Sequence, residues 1–109
     1  MSYTVVFSPE AQAQLDMLED FIANAGSPIN AARYVDAIVS YCESLTIFPQ
    51  RGVRRADLMP ELRITNYRRS AVIAFLVDTD AEMVSIIGVF YGGQEYEAVL
   101  QDDPPEGDS

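Results

Sequence analysis

Apolar residues recur along this chain with two different periods, and the change of period divides it. From Tyr3 to Phe7 a β-branched and aromatic run reads as a first strand. Ser8-Pro9-Glu10 follows, supplying a hydroxyl N-cap, a proline where a helical N–H has no partner anyway, and an acid at the positive end of the helix dipole. Ala11, Leu15, Leu18, Ile22 and Ala25 then recur at spacings of three and four, which makes one apolar stripe on a helix with Asp16, Glu19 and Asp20 off it. Gly26 stops that helix, and Ser27-Pro28 repeats the start for a second one, whose stripe is Ala31, Val35, Ile38, Cys42 and Leu45. A linker this short folds the two helices into an antiparallel hairpin.

Beyond Phe48-Pro49 the period shortens. Three β-like runs cover Glu61 to Tyr67, Ser70 to Asp78 and Met83 to Tyr91. The segment from Val72 to Val77 is apolar on both faces, as a central strand must be, and Asp78-Thr79-Asp80 marks the turn after it. Gly92-Gly93 breaks the last strand, and Gln94 to Leu100 has room for one helical turn or two. The prediction is an α+β fold of order β-α-α-β-β-β, with the helical hairpin packed on an antiparallel sheet and Leu18 and Ile38 deeply buried. Residues 1–100 form one domain, and the proline-rich, acidic residues 101–109 form a solvated, disordered tail able to fold back weakly over basic groups.

Composition narrows the chemistry. A chain of 109 residues, 49% apolar, fills one modest core. No run approaches the ~20 apolar residues a membrane span needs. Met1-Ser2-Tyr3-Thr4 lacks the blocks of a secretion signal, so a cytoplasmic location is expected. Histidine is absent and Cys42 is the single cysteine, set on an apolar stripe as a small buried hydrophobe, so neither metal nor organic cofactor is expected. The net charge is −10, yet all seven cations are arginine and all but Arg33 lie between residues 51 and 69, where the local charge is +4 against −14 for the rest. Such a balance argues against direct, sequence-specific nucleic-acid binding, while a patch made only of forked guanidinium groups suits a geometrically specific anionic partner.

Four elements in order carry a resemblance: Phe7-Ser8-Pro9-Glu10-Ala11 opening a helix, Phe48-Pro49-Gln50-Arg51-Gly52 after the second helix, Leu62-Arg63-Ile64 in a strand, and Gly88-Val89-Phe90-Tyr91-Gly92-Gly93-Gln94-Glu95 at the close. Over about residues 3 to 100 the chain resembles the ParE branch of the RelE/ParE toxin superfamily, the toxic halves of bacterial toxin–antitoxin pairs. The resemblance implies a type II toxin that inhibits DNA gyrase when free and is held silent in a hetero-oligomer by a co-expressed, ParD-like antitoxin. Two departures stand out. The chain is acidic outside one segment, and it lacks the lysine-rich equipment of the ribosome-dependent ribonucleases in the RelE branch.

Ribonuclease chemistry needs a base, an acid and cations for the phosphorane charge, and arginine supplies only the last. Tyr67, Tyr91, Glu61 and Glu95 are the available proton carriers, and an unperturbed tyrosine or glutamate is poorly matched to neutral pH unless burial shifts it. No catalytic residue is assigned. Inhibition by binding needs only a shaped patch, and Arg63, Tyr67, Arg69 and Tyr91 are the candidates for contacting the target. Strand alternation puts residues 63, 65, 67 and 69 on one face and 64, 66 and 68 on the other, if the strand runs unbroken. For the antitoxin, Met17, Phe21, Tyr34 and Tyr41 lie off the main stripes as groove-lining candidates, and Arg54, Arg55, Arg63 and Arg69 are candidates for its carboxylates. On this reading Arg63→Lys or Arg69→Lys weakens antitoxin binding without changing the stability of the free toxin. The bland alternative has the loop arginines paired with Asp57 and Glu61. Two other functions fit the sequence: a RelE-like messenger-RNA endonuclease, and a non-toxic module that only binds the antitoxin.

Overall fold

The computed structural model describes residues 3–68 and 71–91. Their order is β1 (Thr4–Phe7), α1 (Pro9–Ala25), α2 (Pro28–Glu43), a 3₁₀ turn at Ser44–Thr46, β2 (Val53–Arg54), β3 (Leu62–Tyr67), β4 (Ala71–Asp78) and β5 (Met83–Tyr91). Both helix starts follow from the two Ser-Pro steps: Ser8 Oγ accepts from Ala11 N–H (3.0 Å) and Ser27 Oγ from Asn30 N–H (3.3 Å). Asp78 likewise makes its turn, its Oδ1 accepting from Ala81 N–H at 3.0 Å. Glu61 falls just outside β3 because its φ of 65° is left-handed. The segment 92–100, the tail 101–109, Arg69 and Ser70 lie outside the described residues.

The five strands run β1-β5-β4-β3-β2. The three late runs pair antiparallel as expected. Two pairings are additional. β1 lies parallel to β5, Thr4 opposite Met83, which the intervening helices and strands allow because a parallel pair needs a long crossover. The two-residue β2, drawn from the arginine loop that runs from the 3₁₀ turn to β3 (residues 47–61), pairs antiparallel with β3, Arg54 opposite Arg63. The sheet is therefore mixed. Between β4 and β5 the register passes from Ala74–Gly88 to Phe75–Ile86, so Ile87 is the extra residue of a β-bulge. Beside it, Gln14 Oε1 on α1 accepts from Val89 N–H (2.6 Å) and ties the helix to the central sheet.

The helices cover one face. Leu15 and Leu18 of α1 with Ile38, Cys42 and Leu45 of the second helix and its 3₁₀ turn bury Ile73, Phe75, Val84 and Ile86 in one cluster. Leu18 is 2% exposed and Ile38 0%, as their stripes require. Leu62, Ile64, Ala74 and Phe90 form a smaller cluster on the opposite face, joined by Leu58 and Met59 of the arginine loop. Among the described residues no helix is long and apolar enough to cross a membrane.

Candidate interaction surfaces

Alternation along β3 places Arg63, Thr65 and Tyr67 on one face, as read, but that face is covered by α2 and the arginine loop. Tyr67 is only 8% exposed, with its ring edge-on to Tyr34 (6.0 Å between centroids) and Tyr41 (5.4 Å). The hydroxyls of Tyr41 and Thr65 share a hydrogen bond of 2.9 Å. Tyr34 and Tyr41 thus reach the sheet, and of the four off-stripe helix residues only Met17 and Phe21, each 60% exposed, stand out to solvent. Phe21 leans on Tyr91 at 5.9 Å between ring centroids, which joins a residue expected to meet the antitoxin with one expected to meet the target.

Arg63 is committed inward. Its guanidinium donates to the carbonyls of Arg51 (3.0 Å), Gly52 (3.3 Å) and Gln50, closing the arginine loop onto β3. The expectation that Arg63→Lys leaves stability unchanged is corrected by this geometry, because one ammonium cannot span three carbonyls as the planar fork does. We expect Arg63→Lys to loosen the loop and speed tryptic cleavage after Arg51, Arg54 and Arg55 severalfold, read by limited proteolysis. Unchanged cleavage would mean that the carbonyl clamp does not hold the loop.

The remaining cations divide by partner. Arg51 lies over the rings of Tyr41 (5.3 Å) and Phe48 (5.6 Å). Arg55 forks onto Asp57 through Nε–Oδ1 (3.0 Å) and NH2–Oδ2 (2.9 Å), the restraint foreseen as the bland alternative. That hydrogen-bonded guanidinium holds the Asp57 carboxyl below its usual range, so the pair persists through neutral pH and loosens only in acid. Arg54 is exposed on β2. Arg68 turns left-handed at φ 55° and stacks over Tyr67 (5.3 Å), so the strand breaks there and the alternation argument does not extend to residue 69.

Burial, with a minor contribution from the charge of Glu43, pushes the Cys42 thiol up to about 12. Its folded value lies above its unfolded one, so the neutral thiol supports folding fully below the unfolded pKa, and that support is lost as pH rises toward 12. Alkylation by iodoacetamide at pH 8 should be slow in the native protein and fast in urea. Equal rates would place Cys42 in solvent. Among the described residues no three histidine, cysteine or carboxylate side chains converge to hold a metal.

Sequence reading missed Ile47, Phe48 and Val53, which are 68%, 60% and 65% exposed in one short stretch. The signal was present: Ile47 and Phe48 are an apolar pair lying past the end of the α2 stripe. Gln14 and Thr65, which pin helix to sheet, carried no such signal.

A family model described as the ParE toxin of the type II toxin–antitoxin system parDE matches residues 5–96. No curated protein sequence matches the chain. Among solved structures it is similar to a chain of the chromosomal ParDE toxin–antitoxin system from P. aeruginosa, with a TM-score of 0.71 and 21% identity over 83% of this chain and 96% of that one. It is also similar to a chain of the RelBE2 toxin–antitoxin complex from Mycobacterium tuberculosis, with a TM-score of 0.63 and 20% identity over 86% of this chain and 95% of that one. At these identities the likeness is one of fold, a helical hairpin laid on a sheet.

Proposed function

This chain belongs to the ParE toxin family of type II toxin–antitoxin systems, and from that premise we propose that it acts by binding, inhibiting DNA gyrase in the cytoplasm without cutting nucleic acid, and that a ParD-like antitoxin silences it. The observation that supports binding over ribonuclease chemistry is how the arginines are used. Arg63 closes a loop through three carbonyls, Arg51 stacks on two rings and Arg55 pairs with Asp57. These cations shape a surface, whereas a phosphoryl-transfer site needs free guanidinium groups aimed at one developing charge. Tyr67, one of the proton carriers a ribonuclease would draw on, is packed beneath α2.

Antitoxin binding falls to the α1 ridge. Met17 and Phe21 are one helical turn apart, exposed, and backed by Tyr91, a footing for the apolar face of a segment that orders on docking. Phe21→Asp should weaken antitoxin affinity by roughly ten- to a hundredfold, the effect of losing about 1.5–3 kcal/mol of ring burial, and should shift the melting temperature of the free toxin little. Calorimetric titration decides this, and unchanged affinity would remove the ridge from the interface.

The function itself is tested by expressing the chain alone. Growth arrest with a DNA-damage response and trapped gyrase–DNA complexes, relieved by the antitoxin, is the expected result. Rapid loss of messenger RNA would favour the RelE-like endonuclease, and normal growth an inert module.

A further inference from the structure

The molecule carries a second exposed apolar surface, and it lies away from the α1 ridge. Phe21 sits beside Tyr91, the last residue of β5. The arginine loop begins at the other end of the sheet: the carbonyl of Thr46 accepts from Tyr3 N–H, and the next residue, Thr4, lies opposite Met83, the first residue of β5. The start of the loop therefore lies about 26 Å along β5 from Tyr91, from the rise per residue, and its end, β2, lies three strands from β5 at the opposite edge of the sheet.

The loop is held in shape. Arg63 fixes three of its carbonyls, Arg51 is stacked between the loop and α2, and β2 pairs with β3. Ile47, Phe48 and Val53 are nonetheless largely exposed, so their apolar surface faces water in a braced segment. Ile47, Phe48, Pro49 and Arg51 also border an apolar hollow of about 430 Å³. Arg54 is exposed close by, in the one segment of an acidic chain where positive charge predominates. Preorganised apolar anchors beside a guanidinium suit a protein surface with an apolar side chain flanked by carboxylates. They do not suit a phosphate backbone, which would leave the apolar groups unused.

We infer that the first part of this loop, residues 47–54, is the surface with which the toxin engages its protein target, separate from the ridge that receives the antitoxin. The inference rests on the binding reading of the toxin and deepens it. An antitoxin docked on α1 then silences the toxin by reaching the loop with another part of its chain or by holding the target away with its bulk.

Gyrase supercoiling assays with the purified full chain test this through an Ile47→Ser/Phe48→Ser double variant and, independently, Arg54→Glu. The double variant should raise the concentration for half-inhibition at least tenfold and Arg54→Glu at least threefold, with antitoxin affinity within twofold of wild type in both, which also reports an intact fold. Inhibition equal to wild type overturns the inference, as does antitoxin affinity that falls in step with activity. Loss of a wild-type dimer in sedimentation makes a second copy the occupant, and wild-type binding to a DNA duplex that only Arg54→Glu disrupts makes it a nucleic acid; either result also overturns the inference. Wild-type chain that arrests growth but leaves gyrase active sinks the gyrase reading alone. The loop is then judged by whether the double variant abolishes the arrest, and a wild-type chain with neither effect removes both.

Discussion

Ile38→Ala should lower the melting temperature by roughly 10–25 °C, the shift produced by losing about 2–5 kcal/mol in a domain of this size. Ile38 is fully buried on the α2 stripe, within the cluster shared by both helices and the covered face of the sheet. Truncation removes three carbons and leaves a cavity that close-packed neighbours fill only in part. Domains are stable by about 5–15 kcal/mol in total, so the variant should sit near the edge of folding at growth temperature. Leu18→Ala should behave similarly, because Leu18 closes the same cluster from α1. Ile29→Ala is the control: Ile29 is 65% exposed, and its loss should be nearly silent. Thermal unfolding followed by circular dichroism measures all three. An Ile38→Ala protein that melts with wild type would mean that α2 does not pack as described.

Gly52→Ala should be the most damaging single change in the arginine loop. Gly52 has a φ of 82°, which alanine adopts at a cost of about 1–2 kcal/mol. A Cβ there would also stand 2.2 Å from the carbonyl oxygen of Ile64, a backbone atom of β3 that cannot swing aside. The loop must therefore detach from β3, breaking the Val53–Ile64 and Arg54–Arg63 pairings and the carbonyl clamp of Arg63. We expect a total cost of roughly 2–4 kcal/mol. Trypsin should cut after Arg51, Arg54 and Arg55 far faster than in wild type, while the α1 ridge keeps its antitoxin affinity. Gly26→Ala meets no such clash, since the nearest atom to an added Cβ there is 3.8 Å away. Wild-type resistance to trypsin in Gly52→Ala would show that the loop tolerates the displacement.

What the sequence made legible was what local chemistry decides. Two Ser-Pro steps set both helix starts, spacings of three and four set both stripes, and the doubly apolar Val72–Val77 run announced the central strand. The family resemblance came from the same local elements in order. The features that resisted reading are non-local. Nothing within Thr4–Phe7 specifies a parallel partner in Met83–Tyr91, and nothing in Gln14 specifies the amide of Val89. Tyr34 and Tyr41 looked like surplus aromatics because their stripe assignment was correct and their partners, Tyr67 and Thr65, are remote in sequence. Arg63 looked like a binding anchor for the same reason: a guanidinium's three carbonyl partners are invisible until the loop has closed over it.

The parallel seam between β1 and β5 has a consequence for how the chain is born. Among the described strands the first made is also the one whose pairing must wait longest, since its partner is the last of them. On the ribosome the helical hairpin emerges with its stripes bare, and β1 stays an unpaired edge until Met83–Tyr91 has been synthesised and cleared the exit tunnel. Contacts spanning nearly the whole sequence close slowly, because the loop entropy is lost before the pairing repays it. That last strand also carries Tyr91, the ring on which Phe21 leans, so the exposed ridge of α1 gains its footing only when the seam has closed.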